Sequence, residues 1–418
     1  MRKNISPALA AALPALAIAV LILVFPAEAL RASLKGVSIW WDVLFPALFP
    51  FFVISEMMLG VGLVHFFGTL LDPLMRPLFR IPGIGGFVMA MGFASGYPIG
   101  ARLTSQLWDQ GLVNREEGER LVAFTTSSDP IFLIGAVSVG FFHNPALAVV
   151  LGAAHYGSAV LIGLLMRFHG VRSPGNKGKK DLVPAHPADK AEGSGIWKRA
   201  FESMHAARLK DGRALGTMLQ QAVGSGLQLV FMVGGLVVFF AVVMEVLASA
   251  HIMAFFYISI DAVLNFFGIP ASLSQAVATG FFEVTLGAKA AGGAEGASLL
   301  FKTAIAAWVL SWGGLSVHAQ VVSLLHHTSL RYWPFAAARF LHALLGALLV
   351  FVLWEPLAPV QSSLAPLIPL PDMNRPLSTL LHYTLPAAGW TFSAMTGLLL
   401  LITILFLAGK RCMKAIRS

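Results

Sequence analysis

The sequence predicts an all-α polytopic membrane protein with about eight transmembrane helices and two re-entrant helical hairpins in an inverted repeat. Three observations carry this. Of the 418 residues, 57% are hydrophobic and 12% are charged, about half the charged fraction of a soluble protein. The apolar residues form long continuous runs and do not alternate in ~10-residue strands, so helices are favoured over a barrel. The order of apolar segments before residue 170 also returns after residue 215.

Crossing the bilayer takes roughly 20 apolar residues. Segments 8–30, 40–62, 118–142, 145–168, 218–248, 303–328, 338–356 and 390–408 meet that length. The first follows Arg2 and Lys3 and is read as a retained span, because Pro26-Ala27-Glu28-Ala29 makes a poor cleavage site. Two further apolar stretches, 84–110 and 272–300, are interrupted by Gly, Pro or Glu and are read as hairpins that dip in and return.

Eight crossings put both termini on one face. On it fall 24 of the 29 Lys and Arg residues: Arg2, Lys3, Arg76, Arg80, Arg102, Arg115, Arg120, eleven from Arg167 to Arg213, Arg331, Arg339 and four in the tail. The other 5 are Arg31, Lys35, Lys289, Lys302 and Arg375. This split predicts that both termini are cytoplasmic. It also explains the net charge of +9 without nucleic acid as a partner. The single cysteine, Cys412, excludes a disulfide framework.

The expected organisation is an N-terminal span (1–39), a first repeat (40–169), a basic cytoplasmic linker (170–215), a second repeat (216–356), and an external loop, last span and basic tail (357–418). The linker is polar, and its residues 196–215 predict an amphipathic basic helix on the membrane surface. Each repeat reads as a span, an amphipathic piece, a broken hairpin and two spans. Local sequence agrees: His65–Asp72 resembles Ala254–Asp261, and Gly100-Ala101-Arg102 resembles Gly287-Ala288-Lys289. Three crossings per repeat is an odd number, so the repeats insert with opposite orientations. Paired interrupted segments in inverted repeats point to a solute site near the midplane.

Candidate site residues therefore lie where polar groups enter the apolar runs. The first hairpin tip is Ser95-Gly96-Tyr97-Pro98-Ile99-Gly100. Pro98 fits the first turn of a helix, and Gly96 and Gly100 permit close backbone approach. The exposed N–H groups of that arm suit an anion; the alternative is a plain kinked hairpin. The following span carries Thr125-Thr126-Ser127-Ser128-Asp129-Pro130, five polar residues before a helix-breaking proline. Asp129 is read either as a cap alone or as a cap that also couples to a proton or cation.

In the second repeat the tip is Phe282-Glu283-Val284-Thr285-Leu286-Gly287 and the break runs from Ser311 to Gln320. Ser127 aligns with Ser311 and Asp129 with Gly313, so the carboxylate there is supplied from the hairpin by Glu283. The expected substrate-binding set is Ser95, Gly96, Tyr97, Gly100, Thr126, Ser127, Ser128, Thr285, Ser311, Ser316 and Gln320. Asp129, Glu283 and His318 are the expected coupling residues. Glu56 is a weaker candidate, and His155 reads as a packing histidine. Gly83-Ile84-Gly85-Gly86 follows no strand and no GxxxxGK[ST] occurs, which disfavours ATP-driven transport by this chain. No spacing suggests a structural metal or a cofactor.

The segments Leu48–Phe52, Pro73–Phe79, Gly92–Ala101 and Phe124–Pro130 resemble the YlbJ family of sporulation integral membrane proteins, over roughly residues 40–355. The resemblance implies a nucleoside-recognition, or Gate, domain like those of concentrative nucleoside transporters and the membrane part of the ferrous-iron transporter. It further implies a role in spore cortex formation at the outer forespore membrane, with delivery of dipicolinic acid from mother cell to forespore. Dipicolinate is a small aromatic dianion, a partner that helix N-termini and hydroxyls suit. The expected function is thus a secondary transporter of a small anion, not an enzyme. The alternative is a membrane scaffold that recruits cortex machinery through the basic loop. A homo-oligomer is compatible with either.

Overall fold

A computed structural model describes residues 7–170, 195–364, 393 and 396–404. Its first two helices, α1 (Pro7–Val24) and α2 (Pro26–Ile39), correct the span expected at 8–30. They meet at Phe25 with a 104° bend. Pro26 stands at the start of α2, where a missing N–H costs nothing, but it cannot continue α1. Glu28, Arg31 and Lys35 therefore leave the path of α1, and α2 packs along α10.

A short π-helical segment, π1 (Trp40–Leu44), leads into α3 (Phe45–Gly60), the span expected at 40–62. Left-handed Gly62 turns the chain by 78° into the amphipathic α4 (Leu63–Phe79). The apolar face of α4 is buried through Leu70, Leu71, Leu74 and Met75. The first hairpin is α5 (Ile84–Ser95) and α6 (Tyr97–Asp109). The span expected at 118–142 is two pieces, α7 (Arg115–Thr125) and a second π-helix, π2 (Ile131–Phe141), separated by extended chain. Next, α8 (Leu147–Met166) is long and apolar enough to cross a membrane.

Helix α9 (Ile196–Asp211) forms where a helix is expected at 196–215 and packs on α4. The order then recurs. The span is α10 (Leu215–Ser249) and the amphipathic piece is α11 (Ile252–Phe266). The hairpin is α12 (Ser274–Phe282) with α13 (Val284–Gly293). The broken span is α14 (Leu299–Trp312) with α15 (Gly314–Leu325), and α16 (Tyr332–Leu364) closes the series. This last helix starts earlier and ends later than the expected 338–356, so the first residues of the expected external loop are helical. Most of that loop lies outside the described residues, as do 390–392, 394–395 and 405–408 of the span expected at 390–408, whose residues 396–404 are helical. Among the described residues, four helices are long and apolar enough to cross a membrane, or six if each bent pair is one span.

The two series pack by exchange. Helix α3 packs on its counterpart α10, and α8 packs on its counterpart α16. The contact of α6 with α15 is mirrored by that of α13 with π2. The contact of α7 with α16 is mirrored by that of α14 with α8. Such reciprocity, element i on j and j on i, is the pattern of an isologous two-fold interface, here within one chain. It brings both hairpins and both broken helices to one centre.

Candidate functional site

Each interruption has a local cause. At the first tip Gly96 adopts φ 91°, a left-handed value that Cβ-bearing residues avoid. A Cβ there would also sit 2.9 Å from an Asp129 carboxylate oxygen. In the first break, Pro130 cannot donate to the preceding turn, and Asp129 Oδ1 accepts the Phe132 N–H (2.8 Å), capping π2. In the second hairpin, Glu283 is extended and its Oε2 accepts the Leu286 N–H (2.8 Å), capping α13. In the second break Gly313 and Gly314 both have positive φ, and Gly314 lies against the Glu283 backbone. The halves thus use one device with the parts exchanged. In the first, the carboxylate is on the break and the glycine on the tip; in the second, the carboxylate is on the tip and the glycines on the break.

Tips and breaks line one small pocket. Its polar side is formed by Tyr97, Asp129, Glu283, Thr285, Ser316 and Gln320. Leu44, Leu48, Val233 and Val237, from the first spans of the two series, add apolar lining. Helices α6 and α15 both begin at the pocket without a side-chain cap; in α6 Pro98 has no N–H and the Ile99 N–H donates to the Gly96 carbonyl (3.2 Å). The Ser316 hydroxyl is buried without a hydrogen-bond partner among the described residues.

The other expected residues lie around the pocket. The hydroxyls of Ser95 and Ser128 are buried and unpartnered among the described residues. Gly100 touches the Thr125 carbonyl, and Thr126 Oγ1 bonds back to the Val122 carbonyl (2.8 Å). His318 does not line the pocket; its Nδ1 pairs with the Tyr332 hydroxyl (2.9 Å) and its ring lies tilted against Trp312, centroids 4.2 Å apart. Glu56 accepts from Arg102 (3.2 Å) and Gln106 (2.8 Å), away from the pocket.

Ser127 and Ser311 lie behind the pocket, joined by His155. The Ser128 N–H donates to His155 Nε2 (3.0 Å), which therefore must present a lone pair. The ring proton is then on Nδ1 and donates to Ser311 Oγ (3.0 Å). Ser127 Oγ also bonds Nε2 (2.9 Å). His155 is thus a bridge between the two breaks, which corrects its reading as packing alone.

Arg339 is the larger correction. Counted on the cytoplasmic face by sequence, it is fully buried on α16. Its guanidinium donates to the Thr126 carbonyl of the first break and to the Leu310 (3.3 Å) and Trp312 (3.3 Å) carbonyls of the second. Its Nη1 also reaches His342 Nδ1 (2.9 Å), whose Nε2 in turn donates to the His155 carbonyl (3.0 Å). Tyr97, from the first tip, donates to the same Leu310 carbonyl (2.9 Å). The signal in the sequence is the pair Arg339 and His342, three residues apart on one face of an apolar helix.

A family model of nucleoside-recognition (Gate) domains matches residues 42–168, from π1 through α8. The sporulation integral membrane protein YlbJ of Bacillus subtilis (strain 168) is 41% identical over 332 residues, which is 79% of each chain. The chain belongs to the YlbJ family of sporulation integral membrane proteins. No solved structure matches it. In this YlbJ-family chain the Gate match covers the first tip and the first break, with Tyr97 and Asp129. Glu283, Thr285, Ser316 and Gln320 come from beyond that match, so the pocket needs both halves.

Proposed function

We propose that this protein is a secondary transporter of a small aromatic dianion of the dipicolinate type, moved from mother cell toward forespore. The observation that carries this is the pocket where both tips and both breaks meet. A flat ring fits its apolar lining, while carboxylates of the solute reach the uncapped starts of α6 and α15 and the Ser316 hydroxyl. Opposed insertion of the two halves, which three crossings each require, turns the exchanged contacts into an inverted repeat with this site at its centre.

Asp129 and Glu283 set a condition. Two ionised carboxylates lining the pocket repel a dianion. The solute enters when both carry protons, so dianion and two protons move together with no net charge. Asp129 and Glu283 are the coupling groups, and His318, outside the pocket, is the weakest of the three expected ones.

The test is uptake of labelled dipicolinate by vesicles containing the purified protein. The expected result is accumulation driven by an inward proton gradient. Asp129→Asn and Glu283→Gln should keep solute exchange but lose accumulation by about tenfold or more, since an amide carries no exchangeable coupling proton. Absence of uptake under every imposed ion gradient overturns the proposal.

A further inference from the structure

Two helices end where the chain breaks, and both present carbonyl oxygens to Arg339. The last carbonyls of a helix have no partner in their own helix, and its C-terminus carries partial negative charge. Helix α7 ends at Thr125, with the Thr126 carbonyl just beyond it; α14 ends at Trp312, freeing the Leu310 and Trp312 carbonyls. These three oxygens, one from the first half and two from the second, surround one guanidinium. All four described hydrogen bonds of Arg339 go to carbonyls or to an imidazole nitrogen, and none goes to a carboxylate. A Cβ at Gly313 would lie 3.4 Å from Nη2, in contact with the same guanidinium.

A cage of carbonyls from two broken helices is a cation site. We infer that Arg339 is its permanent occupant: a tethered cation that fills the cage, holds the two breaks in register, and leaves no place there for a mobile sodium or potassium ion. A guanidinium suits this task, being always charged, planar and able to donate in several directions at once. The neutral ring of His342 adds an acceptor without competing charge. Arg339 is accordingly a positioning residue that fixes the geometry behind the pocket and restricts coupling to protons. The restriction to protons rests on the transport reading, whereas the filled cage does not.

The experiment measures thermal unfolding of the purified full chain in detergent, with solute uptake alongside. Arg339→Ala is expected to melt about 6 °C lower or more, as for loss of a buried charged network. Guanidinium at about 20 mM, far below denaturing molar concentrations, should restore at least half of that loss. Tetramethylammonium, which cannot donate hydrogen bonds, should restore none. Equal effects of the two ions, or none from guanidinium, overturn the cage.

If Arg339→Ala cannot be purified, Arg339→Lys serves: it is expected to melt below wild type and to gain nothing from guanidinium, because its ammonium occupies the cage. A gain from guanidinium equal to that expected for Ala counts against the inference. Wild type should melt at one temperature in sodium, potassium and choline chloride at equal ionic strength; a rise specific to sodium or potassium overturns it. Restored stability without uptake by wild type removes the transport reading and keeps the cage. Uptake by wild type with an Arg339→Ala variant that guanidinium does not restore does the reverse.

Discussion

The Ser128 backbone N–H and the Ser311 hydroxyl approach opposite nitrogens of one imidazole. His155→Phe keeps the ring volume but leaves a buried N–H and two serine hydroxyls without their partner. An unsatisfied buried group costs about 1–3 kcal/mol, so a loss of about 3 kcal/mol is expected in chemical denaturation of the purified protein. A change under about 0.5 kcal/mol would mean that water replaces the ring, as at ordinary surface sites. At this scale the sequence was legible where charge is costly. Asp129 and Glu283 stand out because a carboxylate inside an apolar run needs a reason. His155 did not stand out, because its partners are 28 and 156 residues away and no spacing rule reaches that far. Arg339 was misplaced because α16 begins at Tyr332, several residues before the expected start, which puts the arginine two turns inside.

Among the elements, the first hairpin and the first break are held together by missing side chains. The Thr125 carbonyl lies where a Cβ on Gly92 or Gly100 would be, at 2.3 and 2.6 Å. The two arms of the hairpin thus close on the end of α7 through backbone contact. Gly100→Ala is expected to destabilise by about 2 kcal/mol through overpacking. Gly152→Ala on α8, where nothing lies within 4 Å, should be neutral or stabilising by up to about 1 kcal/mol. Equal melting temperatures for the two variants would show that the hairpin can retreat from α7. The two hairpins and the two broken spans were readable, since Gly, Pro and buried polar runs punctuate helices whatever surrounds them. The fate of the first apolar run was not. Its length satisfies a spanning helix, and only Pro26 hints that the chain turns there; the 104° bend is set by the docking of α2 on α10, a tertiary contact.

Across the whole molecule, the two halves are tied at their ends as well as at the centre. Glu119, with its side chain fully buried at the start of α7, holds Arg331 ahead of α16 through two 2.8 Å bonds and His169 after α8 through a 2.6 Å bond. Asp109 at the end of α6 meets His327 after α15 (3.1 Å). Glu119→Ala removes the partner of two basic groups and is expected to cost about 3 kcal/mol. Arg331→Ala, at a half-exposed position, should cost less than half of that after solvent screening. Equal losses in thermal denaturation would place the stabilisation in the arginine alone. The repeat was legible as an order of features, because each feature has its own local signature. The exchange of contacts between halves was not, because packing partners leave no periodicity in a sequence.

The position of Arg339 also has a consequence for how the protein is made. Synthesis runs from the N-terminus, so the first half leaves the ribosome long before α16 is translated. The Thr126 carbonyl must wait, unpaired by its final partner, until a residue more than two hundred positions later arrives. An arginine at a helix centre resists release from the translocon into lipid by about 3 kcal/mol; two turns from the start of α16 the resistance is smaller, and the long apolar run that follows outweighs it. Biogenesis thus has a late step in which the last described long helix docks against the earlier ones and delivers the cation that closes them. A ribosome that stops before residue 339 leaves a chain with every pocket-lining residue and no centre.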